Sequence, residues 1–298
     1  MFFILKYTVV LLNYKNDFQT EKAIRNIESV SIQKNYCIVV VNVESDRHFI
    51  SSSNIVNINL DENLGYSYGN NLAAKYIYEH NLSKYLIIMN PDMFISKRGD
   101  LDKLVGKIER ARKEDSKIIG GQPVINTTGQ SKYLSIRRIP DKFDMLIQVF
   151  FPFRILWKDR YRRLWFEDLM PFNSDVTYYI PSGSFFVMDV KEFVDNIKMF
   201  DKRTFLYEEE VILGYKIRLR NKAMLLDHSI VMNHSQGEST GAKNNNMNWF
   251  MFKHMLHSKN VYARYFLKAS TLYLIILDIL FYLNYSSQRI VKLLFRIF

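Results

Sequence analysis

The first half of this chain alternates two kinds of segment, and that alternation constrains the fold more than any other feature. Short apolar runs rich in β-branched residues lie near Lys6–Leu12, Tyr36–Val41, Ile55–Asn59, Tyr85–Met89 and Lys117–Gly120. Longer amphipathic stretches fill the gaps near Phe18–Val30, Ser67–Glu79 and Leu101–Lys113. Branching at Cβ favours extended backbone, and strands that each hand over to a helix build βαβ units around a mostly parallel sheet. With 298 residues, 48% of them hydrophobic, the chain can bury the core such a sheet needs. The predicted fold class is therefore α/β and Rossmann-like, with a mostly parallel central sheet.

In a sheet of this kind, ligands bind beyond the carboxyl ends of the strands. The residues just after each predicted strand thus become candidates: Asn13 and Tyr14, Asn42 to Ser45, Asp61 to Gly65, and Asn90 to Asp92. Asn90-Pro91-Asp92 closes the strand Tyr85–Met89 and places a carboxylate where a hard divalent cation would find an oxygen ligand, although all three residue types also favour a plain turn. The stretch Asn63 to Asn71 holds Gly65 and Gly69 ahead of a helix, which permits close approach of a diphosphate or serves simply as a capped, glycine-containing loop.

The second half is less regular. A segment crowded with aromatic and basic side chains runs from Phe150 to Phe166, and an apolar strand, Val176–Val187, is interrupted by Ser182-Gly183-Ser184. Phe205-Leu206-Tyr207 leads into Glu208-Glu209-Glu210, which open a predicted helix to Arg220. Such acids either supply a general base or stabilise the helix dipole from a solvated face. His234 follows a predicted strand near Ala223–Asn233 and has a side chain able to ligate metal, though a lone histidine often has no such duty. From Asn244 onward the chain reads as a helical tail, which divides it into 1–243 and a basic extension 244–298.

The formal charge is +11, and its excess gathers in that tail: Lys253, Lys259, Arg264, Lys268, Arg289, Lys292 and Arg296 face only Asp278. Thr271 to Leu283 is apolar but too short to cross a bilayer, so the tail, with Arg289, Lys292 and Arg296 set against Ile290, Leu293, Leu294 and Ile297, reads as an interfacial helix on anionic lipid. Arg154, Lys158, Arg160, Arg162 and Arg163 among Trp157, Tyr161 and Trp165 repeat that chemistry; a packed extension or a homo-oligomer contact is the alternative. The basic residues alternate with long aliphatic runs and match no nucleic-acid module, so no nucleic-acid partner is expected. Cys37 is the single cysteine, which excludes an intrachain disulfide, and Met1 to Leu5 lacks the features of a signal peptide. The expected location is cytoplasmic, peripheral to the inner face of the membrane.

Taken in order, these segments resemble family 2 glycosyltransferases of the GT-A type, especially bacterial rhamnosyltransferase-like members that build surface polysaccharides. The strand ending in Asn13-Tyr14 looks like the family's start, Asn63 to Asn71 like its Asn-x-Gly-x-x-x-Gly-Asn-Asn loop, and Asn90-Pro91-Asp92 like a variant of its Asp-x-Asp motif. His234 to Ser239 looks like its His-x-x-Gly-x-Ser ending. The resemblance covers roughly the first 240 residues and implies an inverting transfer from a UDP- or dTDP-sugar to a glycan or lipid-linked acceptor. It implies Mg²⁺ or Mn²⁺ on Asp92, with His234 as a further ligand, Glu210 as base with Glu209 as partner, and Asn13, Tyr14, Asn42, Ser45, Asn63, Gly65, Gly69, Asn70 and Asn90 around the donor. Two departures stand out: Asn42-Val43-Glu44-Ser45 replaces the usual Asp-Asn-x-Ser, and the acidic pair is Glu-Glu with Ile212 where an acid is often found. They motivate the alternative of a non-catalytic binding protein with a degenerate site.

Overall fold

The computed structural model describes residues 5–32, 34–45, 47–50, 55–127, 136–235 and 247–297, with side chains as far as 289. The chain runs β1 (Leu5–Tyr14), α1 (Asp17–Val30), β2 (Tyr36–Val43), β3 (Ile55–Leu60), α2 (Tyr66–Glu79), β4 (Ser83–Met89), β5 (Met93–Phe94), α3 (Asp100–Glu114) and β6 (Ile118–Thr127). It continues through α4 (Lys142–Val149), α5 (Phe151–Leu156), α6 (Lys158–Leu164), β7 (Val176–Tyr178), β8 (Phe185–Asp189), α7 (Glu209–Leu219), β9 (Ala223–His234), α8 (Trp249–Val261) and α9 (Thr271–Ile297).

The described strands form one nine-stranded sheet in the order β3-β2-β1-β4-β8-β6-β9-β5, with β7 also paired to β9. Strands β1 to β4 pair in parallel, as do β6 and β9, which bears out the predicted α/β class. The exception in the middle is β8, which is antiparallel to both β4 and β6.

Because side chains alternate along a strand, each central strand feeds both faces of the sheet. Tyr7, Val9 and Leu11 of β1 pack on one face with Ile38 and Val40 of β2 and Ile87 of β4. Helices α1 and α3 cover that face through Ala23, Ile24, Ile27, Leu101, Leu104 and Ile108. Val10, Val39, Val41, Leu86 and Ile88 turn the other way, under Ala73, Ala74 and Ile77 of α2 and Leu213 and Ile217 of α7. Each such Val, Ile or Leu stabilises the fold by about 1.5–3 kcal/mol before chain entropy is counted.

A third core joins the tail to the rest: Phe252 of α8 and Leu274, Leu277 and Phe281 of α9 pack with Met145 and Val149 of α4 and Val211 and Ile212 of α7. Ile212 is thus a core residue, wholly buried. The segment expected as one interrupted strand, Val176–Val187, is two strands with different partners. β7 pairs with β9, whereas β8 runs in the same direction but inserts between β4 and β6, and the tight bridge from Ser182 to Phe185 marks the step from one position in the sheet to the other.

Candidate active site

The strands of the parallel part release their loops at one rim of the sheet, and β4 ends there at Met89. The backbone N–H of Asn90 donates to the Ser184 carbonyl at 2.8 Å, and that of Met93 returns to the Asn90 carbonyl at 3.0 Å, so Asn90-Pro91-Asp92 is indeed a turn. The turn also carries Asp92 inward, to 3% exposure. Short β5 pairs Met93 with His234 at the end of β9, and His234 Nε2 stands 3.1 Å from Asp92 Oδ1. The Ser235 N–H donates to the Asp92 carbonyl at 3.0 Å and fixes the junction from the other side. Sequence positions 92 and 234 therefore present a carboxylate oxygen and an imidazole nitrogen together, a donor pair that suits Mn²⁺ or Mg²⁺ completed by phosphate oxygens. Gly237 and Ser239 of the His-x-x-Gly-x-Ser ending lie outside the described residues, as does the polar patch Asn244 to Asn246.

The acids stand on the same rim. Tyr207 and Glu208 both take left-handed backbone, with φ of 72° and 60°, and this sharp entry points Glu209 and Glu210 from the first turn of α7. Glu208 is buried and accepts a hydrogen bond from Lys259 Nζ of α8 at 2.7 Å. Burial alone would push its carboxyl up, but Lys259 and then Arg137 outweigh that and hold it below the usual range.

Glu209 is 5% exposed, and its Oε2 has no hydrogen-bond partner among the described residues. Burial, and then the charge of Glu210, raise its pKa well above the usual carboxylate range. Glu210 keeps 22% of its side chain exposed and pairs with Arg137 Nη2 at 3.2 Å. Its pKa is also raised, by burial, with Arg137 pulling the other way. A reachable carboxylate poised above its ordinary range is the kind of group that serves as a general base.

Gly183 and Ser184 link the two clusters. Ser184 holds Asn90 by its carbonyl, and a Cβ added to Gly183 would stand 3.8 Å from the Glu210 carboxyl carbon. The bare glycine keeps the space in front of that carboxylate open. Tyr66 donates its hydroxyl to the Gly183 carbonyl at 2.6 Å, and Gln122 Oε1 accepts the Ser182 N–H at 2.8 Å, so the Ser-Gly-Ser loop is held from both sides.

Further along the rim, Asn13 ends β1 wholly buried, donating from Nδ2 to Asn42 Oδ1 at 3.0 Å and to Asp17 Oδ1 at 2.7 Å. Ser45 Oγ donates to the same Asp17 oxygen at 3.1 Å, and Asn42 donates in turn to Asn59 Oδ1 at 3.1 Å. Asn42 removes a carboxylate from β2, yet the first turn of α1 brings Asp17 to the same cluster. The sequence reading missed Asp17, because only the pairing of β1 with β2 shows which helix turn faces Asn42.

The loop before α2 approaches the acid loop backbone to backbone. Tyr66 N–H donates to the Phe205 carbonyl at 2.9 Å, Gly65 has φ of 92°, and a Cβ on Gly65 would stand 2.4 Å from that carbonyl oxygen. Asn63 Oδ1 accepts the Gly65 N–H at 3.0 Å. Gly69 lets α2 lie close on β1, where a Cβ would meet Leu12 Cδ2 at 2.9 Å. Asn70 is 1% exposed and donates to the Tyr66 carbonyl, while Tyr14 remains 43% exposed. Tyr66 and Arg137 belong to the site without any sequence pattern that marks them.

Two other features compete for the eye. A cavity of about 940 Å³ lies at the opposite, amino end of the strands, lined by Lys6, Ser83, Tyr85, Arg112 and Asp189 among others, away from both acid clusters. Asp175, Asp227 and His228 bring potential ligand atoms within 4.8 Å of one another beside a bulge in β9. There Lys107 Nζ already lies 2.8 Å from Asp175 and 2.7 Å from Asp227, so an ammonium occupies the place a metal would take.

No protein-family model and no curated protein sequence matches the chain. Solved structures do match. The chain is similar to GalNAc-T7 solved with UDP, GalNAc and Mn²⁺, with a TM-score of 0.56 and 13% identity over 78% of this chain. It spans only 44% of that longer protein. The mannosyltransferase PcManGT from Pyrobaculum calidifontis, solved with GDP-Man and Mn²⁺, gives a TM-score of 0.54 and 14% identity, covering 94% of this chain and 70% of that one. Residues 1–349 of TarS from S. aureus, in complex with UDP-GlcNAc, give 0.53 and 12% identity, covering 95% and 73%. At these identities the likeness establishes the fold, which is of the GT-A type.

Proposed function

We propose that this chain is a metal-dependent, inverting glycosyltransferase that moves a sugar from a nucleotide-diphosphate donor to a glycan or lipid-linked acceptor. The observation that carries the reading is the junction at Gly183-Ser184, where the turn bearing Asp92 and the acid Glu210 meet on one rim. The similar structures support it by what they hold: UDP with Mn²⁺, GDP-Man with Mn²⁺, and UDP-GlcNAc. A UDP- or dTDP-sugar, rhamnose among them, and a role in surface polysaccharide synthesis follow the resemblance noted in the sequence.

In this reading Asp92 and His234 would hold Mg²⁺ or Mn²⁺, which would supply positive charge to offset that of the donor diphosphate. Half-buried Asp17 and Ser45 present carboxylate and hydroxyl groups for the nucleoside, positioned by the buried Asn13 and Asn42 behind them, and the loop from Asn63 to Gly65 leads the diphosphate toward the start of α2. Glu210 takes the proton from the acceptor hydroxyl as the acceptor oxygen bonds to the anomeric carbon and the bond from that carbon to the diphosphate oxygen breaks. Attack from the face opposite the leaving group inverts the centre. Burial raises the pKa of Glu209 and so disfavours a second negative charge beside the base, while Arg137 pulls the pKa of Glu210 down.

The test is transfer by the purified full chain against a panel of nucleotide sugars with Mn²⁺ present. Asp92→Ala and Glu210→Gln are each expected to lower kcat by at least about a hundredfold, the usual scale for an acid–base or charge-stabilising group. Transfer that survives Glu210→Gln would remove that residue from the chemistry. Donor binding without any turnover would favour the non-catalytic alternative.

A further inference from the structure

Helix α9 is apolar on both sides. Leu274, Leu277, Phe281 and Tyr285 are buried against the third core, as the spacing of one helix face requires. The opposite face carries Leu272, Ile275, Ile276, Ile279, Tyr282 and Leu283, all exposed, with Leu272 at 67% and Ile279 at 52%. The acid of this stretch, Asp278, is half-buried and accepts a hydrogen bond from Asn260 Nδ2 at 2.6 Å, so it does not interrupt the outer stripe. A helix that is hydrophobic all round and yet open on one side leaves a face that water does not favour.

The rim of this face carries aromatic rings with cations beside them. Trp249 of α8, 46% exposed, lies with its ring 6.4 Å from that of Tyr282, and Lys253 Nζ stands 5.9 Å from the Trp249 ring centroid. The Arg289 guanidinium lies 5.2 Å from the Tyr285 ring centroid. Aromatic rings with cations beside them at the edge of an aliphatic stripe match the boundary between acyl chains and anionic headgroups. The twelve residues 272–283 are about 18 Å long, enough to lie along an interface and too short to cross it. No helix among the described residues is long and apolar enough to span a membrane.

We propose that the outer face of α9, with Trp249, docks flat on an anionic lipid surface, the stripe entering the acyl boundary while Lys253 and Arg289 contact headgroups. The surface lies on the same tail that the sequence suggested, with Arg289 common to both, but uses the stripe from Leu272 to Leu283 and Trp249. Arg160 pairs with Asp141 and Asp144, and Arg162 with Glu167, so these members of the basic aromatic segment are committed within the protein. The side chains of Ile290, Lys292, Leu293, Leu294, Arg296 and Ile297 lie outside the described residues.

The experiment is co-sedimentation of the full chain with vesicles of phosphatidylglycerol and phosphatidylcholine, against phosphatidylcholine alone. The wild-type chain is expected to pellet with the anionic vesicles and to be released by salt. Ile275→Glu with Ile279→Glu, both exposed, is expected to cut the bound fraction about tenfold or more, since the lipid would have to take two charges in place of two aliphatic side chains. An unchanged melting temperature shows that the variant is folded. Brominated acyl chains are expected to quench tryptophan fluorescence, and Trp249→Phe to remove most of the quenching, which reads the docked face without the double variant. Pelleting that the double glutamate leaves unchanged, or quenching that survives Trp249→Phe, overturns the proposal. So does a concentration-dependent dimer in light scattering that the double glutamate abolishes while the wild-type chain ignores vesicles.

Discussion

Replacing Lys259 by Met tests how the tail is bound to the acid loop. Lys259 Nζ and Glu208 Oε1 are 2.7 Å apart, with side-chain exposures of 6% and 7%. At an effective dielectric constant of about 20, that separation corresponds to an attraction of about 6 kcal/mol, opposed by several kcal/mol for desolvating each ion. The intact pair is therefore close to balance, but Lys259→Met leaves Glu208 buried with only the longer-range help of Arg137. The expected loss is about 3–5 kcal/mol. At about 2 °C per kcal/mol for a chain of this size, the melting temperature falls by about 6–10 °C. The double variant Glu208→Gln with Lys259→Met buries no charge and is expected to regain most of the loss. Differential scanning fluorimetry on the four members of the cycle, with urea unfolding as a check, reads the coupling directly. A single-variant loss under about 1 kcal/mol, or a double variant no better than Lys259→Met alone, would refute the assignment of this pair as a buried, mutually dependent ion pair.

Three further outcomes follow from the site. Glu209 binds its proton more tightly folded than unfolded, so folding stability falls as pH rises above about 4.5; Glu209→Gln is expected to gain stability over the parent as pH climbs from acid to neutral, and a pH-independent difference in melting temperature would contradict this. Arg137 lowers the pKa of Glu210, so Arg137→Gln should move the acid limb of the kcat/KM profile to higher pH, whereas an unmoved or lowered limb would deny Arg137 its influence on the base. Gly65→Ala places a Cβ 2.4 Å from the Phe205 carbonyl oxygen at a φ of 92°, which is expected to cost about 2–4 kcal/mol and to raise KM for the donor more than it lowers kcat; a fully stable variant with parental KM would show that the loop tolerates the strain.

The strands of the first half were legible because their burial is two-sided. Val9 and Val10, or Ile87 and Ile88, face opposite layers, and a strand buried on both faces must be a continuous apolar run. The turn at Asn90-Pro91-Asp92 was legible for the same reason, since it stands where such a run stops. What escaped the sequence depends on contacts between distant segments. The three glutamates have the local pattern of a solvated helix start, yet Glu208 and Glu209 are buried, and the cation that makes Glu208 tolerable lies 51 positions away. Asp17 enters the asparagine cluster only because α1 packs beside the end of β1, and Arg137 reaches Glu210 across 73 positions. The direction of β8 was equally hidden, because the apolar run Phe185 to Met188, buried on both faces, reads the same in either orientation.

That direction decides how the molecule can change. β8 spans five residues, about 17 Å, and had it run with its neighbours, Ser182-Gly183-Ser184 would open at the far edge of the sheet. One reversed strand instead folds the chain back so that the loop entering β8 meets the loop leaving β4. A change of length between β6 and β8 must then be absorbed away from that meeting point and away from Arg137, which pairs with Glu210, and from α4, which is packed in the third core.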